Sequence, residues 1–114
     1  MEKLIKNIKH SSVLSMAGQV QYLEDQIVSK TLAQTKYHSL TLFAFDKGEE
    51  ISSHESEGDA MVLALDGEGT ITIAGVDYVL SAGEMIVMPA GIPHAVLASE
   101  RFKMLLTVIF PENR

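Results

Sequence analysis

A chain of 114 residues with 46% apolar side chains suits one domain built on one core, and that apolar content argues against disorder. It has no cysteine, so disulfides, thiolate nucleophiles and zinc–thiolate sites are excluded. A net charge of −6 repels phosphate backbones and anionic headgroups, so neither nucleic acid nor membrane is expected as a partner.

The start, Met1-Glu2-Lys3-Leu4-Ile5-Lys6, lacks the continuous apolar run of a signal peptide. Residues 1–20 read as an N-terminal arm or strand, and a turn at Glu24-Asp25 follows. Gln26 to Ala33 reads as a strand, as does His38 to Asp46, where β-branched and aromatic residues are bounded by turn residues. Ile51 to Glu55 is short and extended. Ala60 to Leu65, the longest apolar run, is too short to cross a bilayer or make an ordinary helix, so a strand buried on both sides is expected. Asp66-Gly67 then signals a hairpin, because that pair tolerates positive φ. Thr70 to Ile73 alternates, Ala74-Gly75 turns, and Val76 to Leu80 returns. Met85 to Met88 reads as a buried strand, Pro89 to Pro93 as a stiff loop, and His94 to Ala98 and Phe102 to Phe110 as the last two strands. No helical periodicity appears, and short strands with turns every eight to twelve residues indicate an all-β sandwich or barrel.

Two stretches share one pattern. In the first, Gly48 is followed by five residues and His54, then Ser56, Ala60 and Gly67. In the second, Gly83 is followed by Pro89, Gly91, His94 and Ala98. Pro89 and Pro93 fix φ and remove donors, so His94 is aimed by a rigid loop. Alternation puts His54, Ser56 and Ala60 on one face, while Asp59 has the opposite parity unless the chain bulges near Gly58. This pattern resembles the paired signature motifs of the cupin superfamily. The resemblance implies a double-stranded β-helix, or jelly-roll, barrel of the RmlC-like kind. A single domain over residues 1–114 is expected, with residues 38–110 as the conserved barrel.

The full cupin set of three histidines and one glutamate holds a divalent transition metal such as Mn, Fe, Ni or Zn. Here Ser56 stands at the second histidine position and Ala60 at the glutamate, so the implied metal ligands reduce to His54 and His94. Two imidazoles hold such a metal weakly, since a closed site takes at least three protein ligands. Water, a substrate oxygen, Asp59 or His38 would have to complete the shell. His10 and His38 lie outside the motifs and read as ordinary polar residues. Met61, Met85, Met88 and Met104 read as adaptable core filler.

Three functions fit these residues. The first is a barrel that binds or senses a small molecule through His54, Ser56 and His94, without strong catalysis. The second is a metal-dependent enzyme of the dioxygenase or isomerase kind, using the reduced set at His54 and His94. The third is an interaction module with no ligand. The resemblance also implies a homodimer, formed through a sheet edge or an exchanged N-terminal strand, which would cover open edges. A cytoplasmic location is the expectation.

Overall fold

The structure is a computed structural model and describes residues 3–113. Eight strands follow in order: β1 (Ile27–Gln34), β2 (His38–Phe45), β3 (Glu50–His54), β4 (Asp59–Ile73), β5 (Val76–Ser81), β6 (Met85–Met88), β7 (His94–Leu97) and β8 (Phe102–Ile109). The only helical element among the described residues is a 3-10 turn at Ala17–Gln19. The sequence places most strand ends within a residue or two. Among the described residues of the N-terminal arm, 3–20, there is no strand.

The largest departure is β4. Asp66-Gly67 does not turn a hairpin; the strand runs through it for 15 residues and passes from one sheet to the other. Its first half pairs with β6 and β8, and its second half with β5 and β7. One sheet is therefore ordered β1-β2-β8-β4-β6 and the other β3-β7-β4-β5, all antiparallel. Gly67 does carry the positive φ that the dipeptide announces, at +74°. It uses that freedom for a close approach. A Cβ there would sit 1.6 Å from the Arg101 carbonyl oxygen, just ahead of the strand that opposes it. The hairpin turn comes later, at Ala74-Gly75, where both residues have positive φ (50° and 81°) and Ile73 pairs with Val76. Two consecutive left-handed residues are the turn that matches the twist of the flanking strands.

A register shift between Ala64 and Asp66 changes which parity of β4 faces inward. Before it, Ala60, Val62 and Ala64 are buried; after it, Ile71 is. The two inner faces meet in a core that includes Phe45, Val62, Ile71, Val96, Phe102 and Met104. Phe45 and Phe102 are both 0% exposed, with ring centroids 6.0 Å apart. Burying side chains of this size contributes roughly 1.5–3 kcal/mol each. Neither Ala60–Leu65 nor Met85–Met88 is buried on both sides. Met61, Met85 and Val87 are exposed on the outer face, so only Met88 and Met104 of the four strand methionines are core residues.

A second cluster forms on the outside of the first sheet. Val20, Leu32, Leu42 and Ala44 are buried there, with Ile8, Tyr22, Leu40, Leu65 and Leu105 against them. The N-terminal segment covers this half of the sheet. Lys6 N–H donates to Leu32 O at 2.7 Å, and the Asn7 amide to Thr31 O at 2.7 Å. Lys103 is buried; its Nζ donates to Ala17 O at 2.7 Å and lies 4.8 Å from the Tyr22 ring centre. The Tyr22 hydroxyl donates to Asp66. Burial, and then that carboxylate, push the tyrosine well above its ordinary pKa.

Candidate functional site

His54 ends β3 and His94 begins β7, and the two are direct cross-strand partners. Their register depends on a bulge. Ile51 pairs with Val96 and His54 with His94, so three steps on β3 match two on β7. The extra residue in Ser52-Ser53 turns both Ile51 and His54 inward, although their sequence separation is odd. The imidazoles meet edge to face, with centroids 4.4 Å apart and planes at 71°. His94 is 2% exposed, whereas His54 is exposed at the mouth.

Each ring is held by a carbonyl two residues back. His54 Nδ1 lies 2.9 Å from Ser52 O, and His94 Nδ1 lies 3.2 Å from Ile92 O. A carbonyl only accepts, so Nδ1 carries a proton in both rings, and the neutral form of either ring has its open lone pair on Nε2. Burial lowers the His94 pKa, and the neighbouring His54 lowers it further, against a small opposing effect of Ile92 O. At neutral pH His94 is therefore a neutral imidazole that accepts through Nε2.

These rings border a cavity of about 90 Å³ between the sheets, open at the mouth where His54 stands. Its polar lining is His54, Ser56 and His94; Ala60 and the apolar Ile51, Met88, Val96, Met104, Leu106 and Val108 make the rest. Ser56 stands in the turn between β3 and β4, where its Oγ accepts from Gly58 N–H at 3.2 Å. It also lines an outer hollow of about 560 Å³ that carries Glu55 and Glu57, so it marks the threshold between the two. Other hollows, such as the one by Tyr37, His38 and Glu112, are more open to solvent.

The structure thus brings His54, Ser56 and His94 together and leaves the other candidates apart. Asp59 Oδ1 accepts from Ala90 N–H at 2.8 Å on the outside. Gly58 does not bulge it inward, since a Cβ at Gly58 would lie 2.3 Å from Ile109 O and the backbone is pinned there. His38 pairs with Ile109 at the far hollow, and His10 Nε2 lies 2.7 Å from Ile5 O. Among the described residues, no three His, Cys, Asp or Glu side chains come together as a metal-binding group. Two imidazoles and a serine hydroxyl already engaged with Gly58 do not fit the closed divalent site of the full motif. Met88 and Met104 are core residues, as the sequence indicates for the methionine set, and they also form the methionine-rich pocket lining that is the minority reading of that set. The available signal for Met88 was its place directly before Pro89, inside the second motif.

The model of the cupin domain matches residues 41–110, which contain both histidines and every strand of the site. The chain belongs to the cupin family. Similar cupin structures agree over nearly the whole length. A conserved protein of unknown function from Streptococcus pyogenes is 48% identical, with 97% of each chain covered and a TM-score of 0.95. A cupin superfamily protein from Desulfitobacterium hafniense is 33% identical, covering 94% of this chain and 98% of that one, with a TM-score of 0.90. A cupin 2 conserved barrel domain protein from Leptotrichia buccalis is 43% identical at a TM-score of 0.82; 84% of this cupin aligns with 47% of that chain. No curated protein matches the chain. No helix of the described residues is long and apolar enough to cross a membrane.

Proposed function

We propose that this cupin binds a small molecule in the cavity between its sheets, with His54 and His94 as anchors and Ser56 at the threshold, and that it does so without strong catalysis. The observation that carries the reading is the cross-strand imidazole pair, 4.4 Å apart, with both Nδ1 atoms committed to carbonyls. Few convergent polar groups in an apolar cavity are the usual anatomy of a ligand site.

The geometry narrows the ligand. The space of about 90 Å³ is well below the roughly 300–1,000 Å³ of drug-sized pockets, so only a few heavy atoms enter fully. With Nδ1 committed to a carbonyl in each ring, the neutral imidazoles ask for donors at Nε2. Glu55 and Glu57 in the outer hollow repel anions. Short neutral or cationic donors such as alcohols, amides and amines therefore fit better than carboxylates. The apolar outer face of the first sheet, with Met61, Met85 and Val87 exposed, supports a homodimer, and the cysteine-free acidic chain supports a cytoplasmic setting.

The experiment is a thermal-shift screen of metal-free protein against short alcohols, amides, amines and carboxylates. Donor-bearing compounds are expected to raise the melting temperature, and His54→Ala and His94→Ala to remove that shift. Shifts that survive both substitutions, or a response to carboxylates alone, contradict the reading.

A further inference from the structure

We infer that the same cavity is a site for a soft monovalent metal ion, Cu(I) or Ag(I), held between Nε2 of His54 and His94 and the thioether sulfurs of Met88 and Met104. All four side chains line one space of about 90 Å³. Both methionines are deeply buried, at 2% and 1% exposure, so what either side chain offers a ligand it offers from the interior. Met88 pairs with Ala60 across the sheet, which places a thioether beside the position where the family pattern has its glutamate. Met104 comes from β8, on the same inner face as Leu106 and Val108 of the cavity wall.

The replacement of donors has a direction. Removing a carboxylate and an imidazole takes away the ligands that Mn(II), Fe(II) and Zn(II) need. Thioether sulfur is a poor ligand for those ions and a good one for Cu(I), and imidazole serves Cu(I) as well. The four donors are all neutral, and the rest of the wall is mostly apolar. Desolvation cost grows with the square of the ionic charge, so such a wall penalises a divalent ion about four times as much as a monovalent one. With both Nδ1 atoms held on carbonyls, Nε2 is the nitrogen each tilted ring has left for a ligand, and Glu55 and Glu57 at the outer hollow raise the local concentration of any cation. The site binds the ion in one oxidation state, and no electron transfer is part of the inference.

This site does not depend on the organic ligand proposed above, and the two separate by variant. Tag-free protein carrying ¹³C-methyl methionine is titrated with Ag(I), which is stable in air, and then with Cu(I) under anaerobic conditions against bicinchoninate. One equivalent is expected to bind, shifting the methyl signals of Met88 and Met104 and leaving those of Met61 and Met85 in place. Met88→Leu and Met104→Leu, which keep volume and apolar character, should each weaken Ag(I) at least tenfold while preserving any thermal shift from an organic donor. His54→Ala should weaken both. Zn(II) and Mn(II) should not displace Ag(I). Movement of the Met61 and Met85 methyls instead of the cavity pair overturns the site. So does stoichiometric displacement by Zn(II), or undiminished Ag(I) affinity in the Met88→Leu/Met104→Leu double variant. If that double variant does not fold, the methyl signals of the wild-type chain still decide.

Discussion

Replacing Gly67 with alanine tests how β4 crosses between the sheets, and therefore how Ala60 in one sheet and His94, which pairs with β4 at Ile73 in the other, come to border one cavity. Two costs add. The first is local: an L-residue at φ +74° costs about 1–2 kcal/mol. The second is a collision, because the new Cβ would stand 1.6 Å from Arg101 O and 3.3 Å from the Phe102 Cα. Both neighbours are backbone of β8 or its approach, so neither rotates away. The strands must separate by well over an ångström. That breaks the hydrogen bond from Glu68 N–H to Arg101 O (3.3 Å) and disturbs the seat of Phe102, which lies against Gly69. A lost bond with an unsatisfied carbonyl and partial repacking adds about 2–3 kcal/mol. Gly75→Ala is the control: φ is +81°, but a Cβ there meets nothing within 4 Å, so only the local cost of about 1–2 kcal/mol applies. Urea unfolding of both variants should give about 3–5 kcal/mol for Gly67→Ala and about 1–2 kcal/mol for Gly75→Ala. Equal losses would refute the close approach as the reason for glycine at 67.

The remaining predictions concern charge. Because burial lowers the His94 pKa, the unfolded chain binds its proton first as pH falls, and folding stability of the metal-free protein should drop as pH goes below about 6.5. His94→Gln should flatten that part of the stability–pH curve measured by urea unfolding; an unchanged slope contradicts a buried neutral imidazole. Asp46 is held below the ordinary carboxylate range, first by the Asp25 N–H and then by Arg101, so its contribution should persist above pH 3.8 and vanish below it. Acid unfolding of Asp46→Asn, compared with wild type, checks this. Lys103→Met keeps the buried stem but removes the bond to Ala17 O and the charge over Tyr22. It should cost about 1–3 kcal/mol and speed proteolysis within residues 3–20. An unaltered cleavage rate there means that Lys103 does not hold the segment.

Much of this barrel is legible in the residues because its strands are short, alternate or carry β-branched side chains, and end at glycine, proline or aspartate. The errors fall where two physical situations share one local chemistry. Asp66-Gly67 announces positive φ, and Gly67 has it, yet the strand opposite decides whether that freedom makes a turn or a contact. In the runs Ala60–Leu65 and Met85–Met88 every residue is apolar, so parity leaves no trace. Met61 and Met85 consequently look the same as Met88. The convergence of His54 and His94 follows from the motif spacing, but the bulge at Ser52-Ser53 that turns Ile51 inward beside His54 is set by pairing with β7. Parity alone does not place Asp59; its bond from Ala90 N–H resolves it to the outside. The N-terminal residues carry apolar side chains without alternation, and they cover an outer sheet face instead of adding a strand.

The measurement closest to the central claim is a long-range ¹H–¹⁵N correlation spectrum of the histidine rings at neutral pH, assigned with the His54→Ala and His94→Ala variants. Both rings should show a protonated Nδ1 and an unprotonated Nε2, and both Nε2 signals should move when a donor ligand or Ag(I) is added. A ring protonated at Nε2, or two rings that respond independently with only one sensing the added species, would contradict a shared cavity with two open lone pairs.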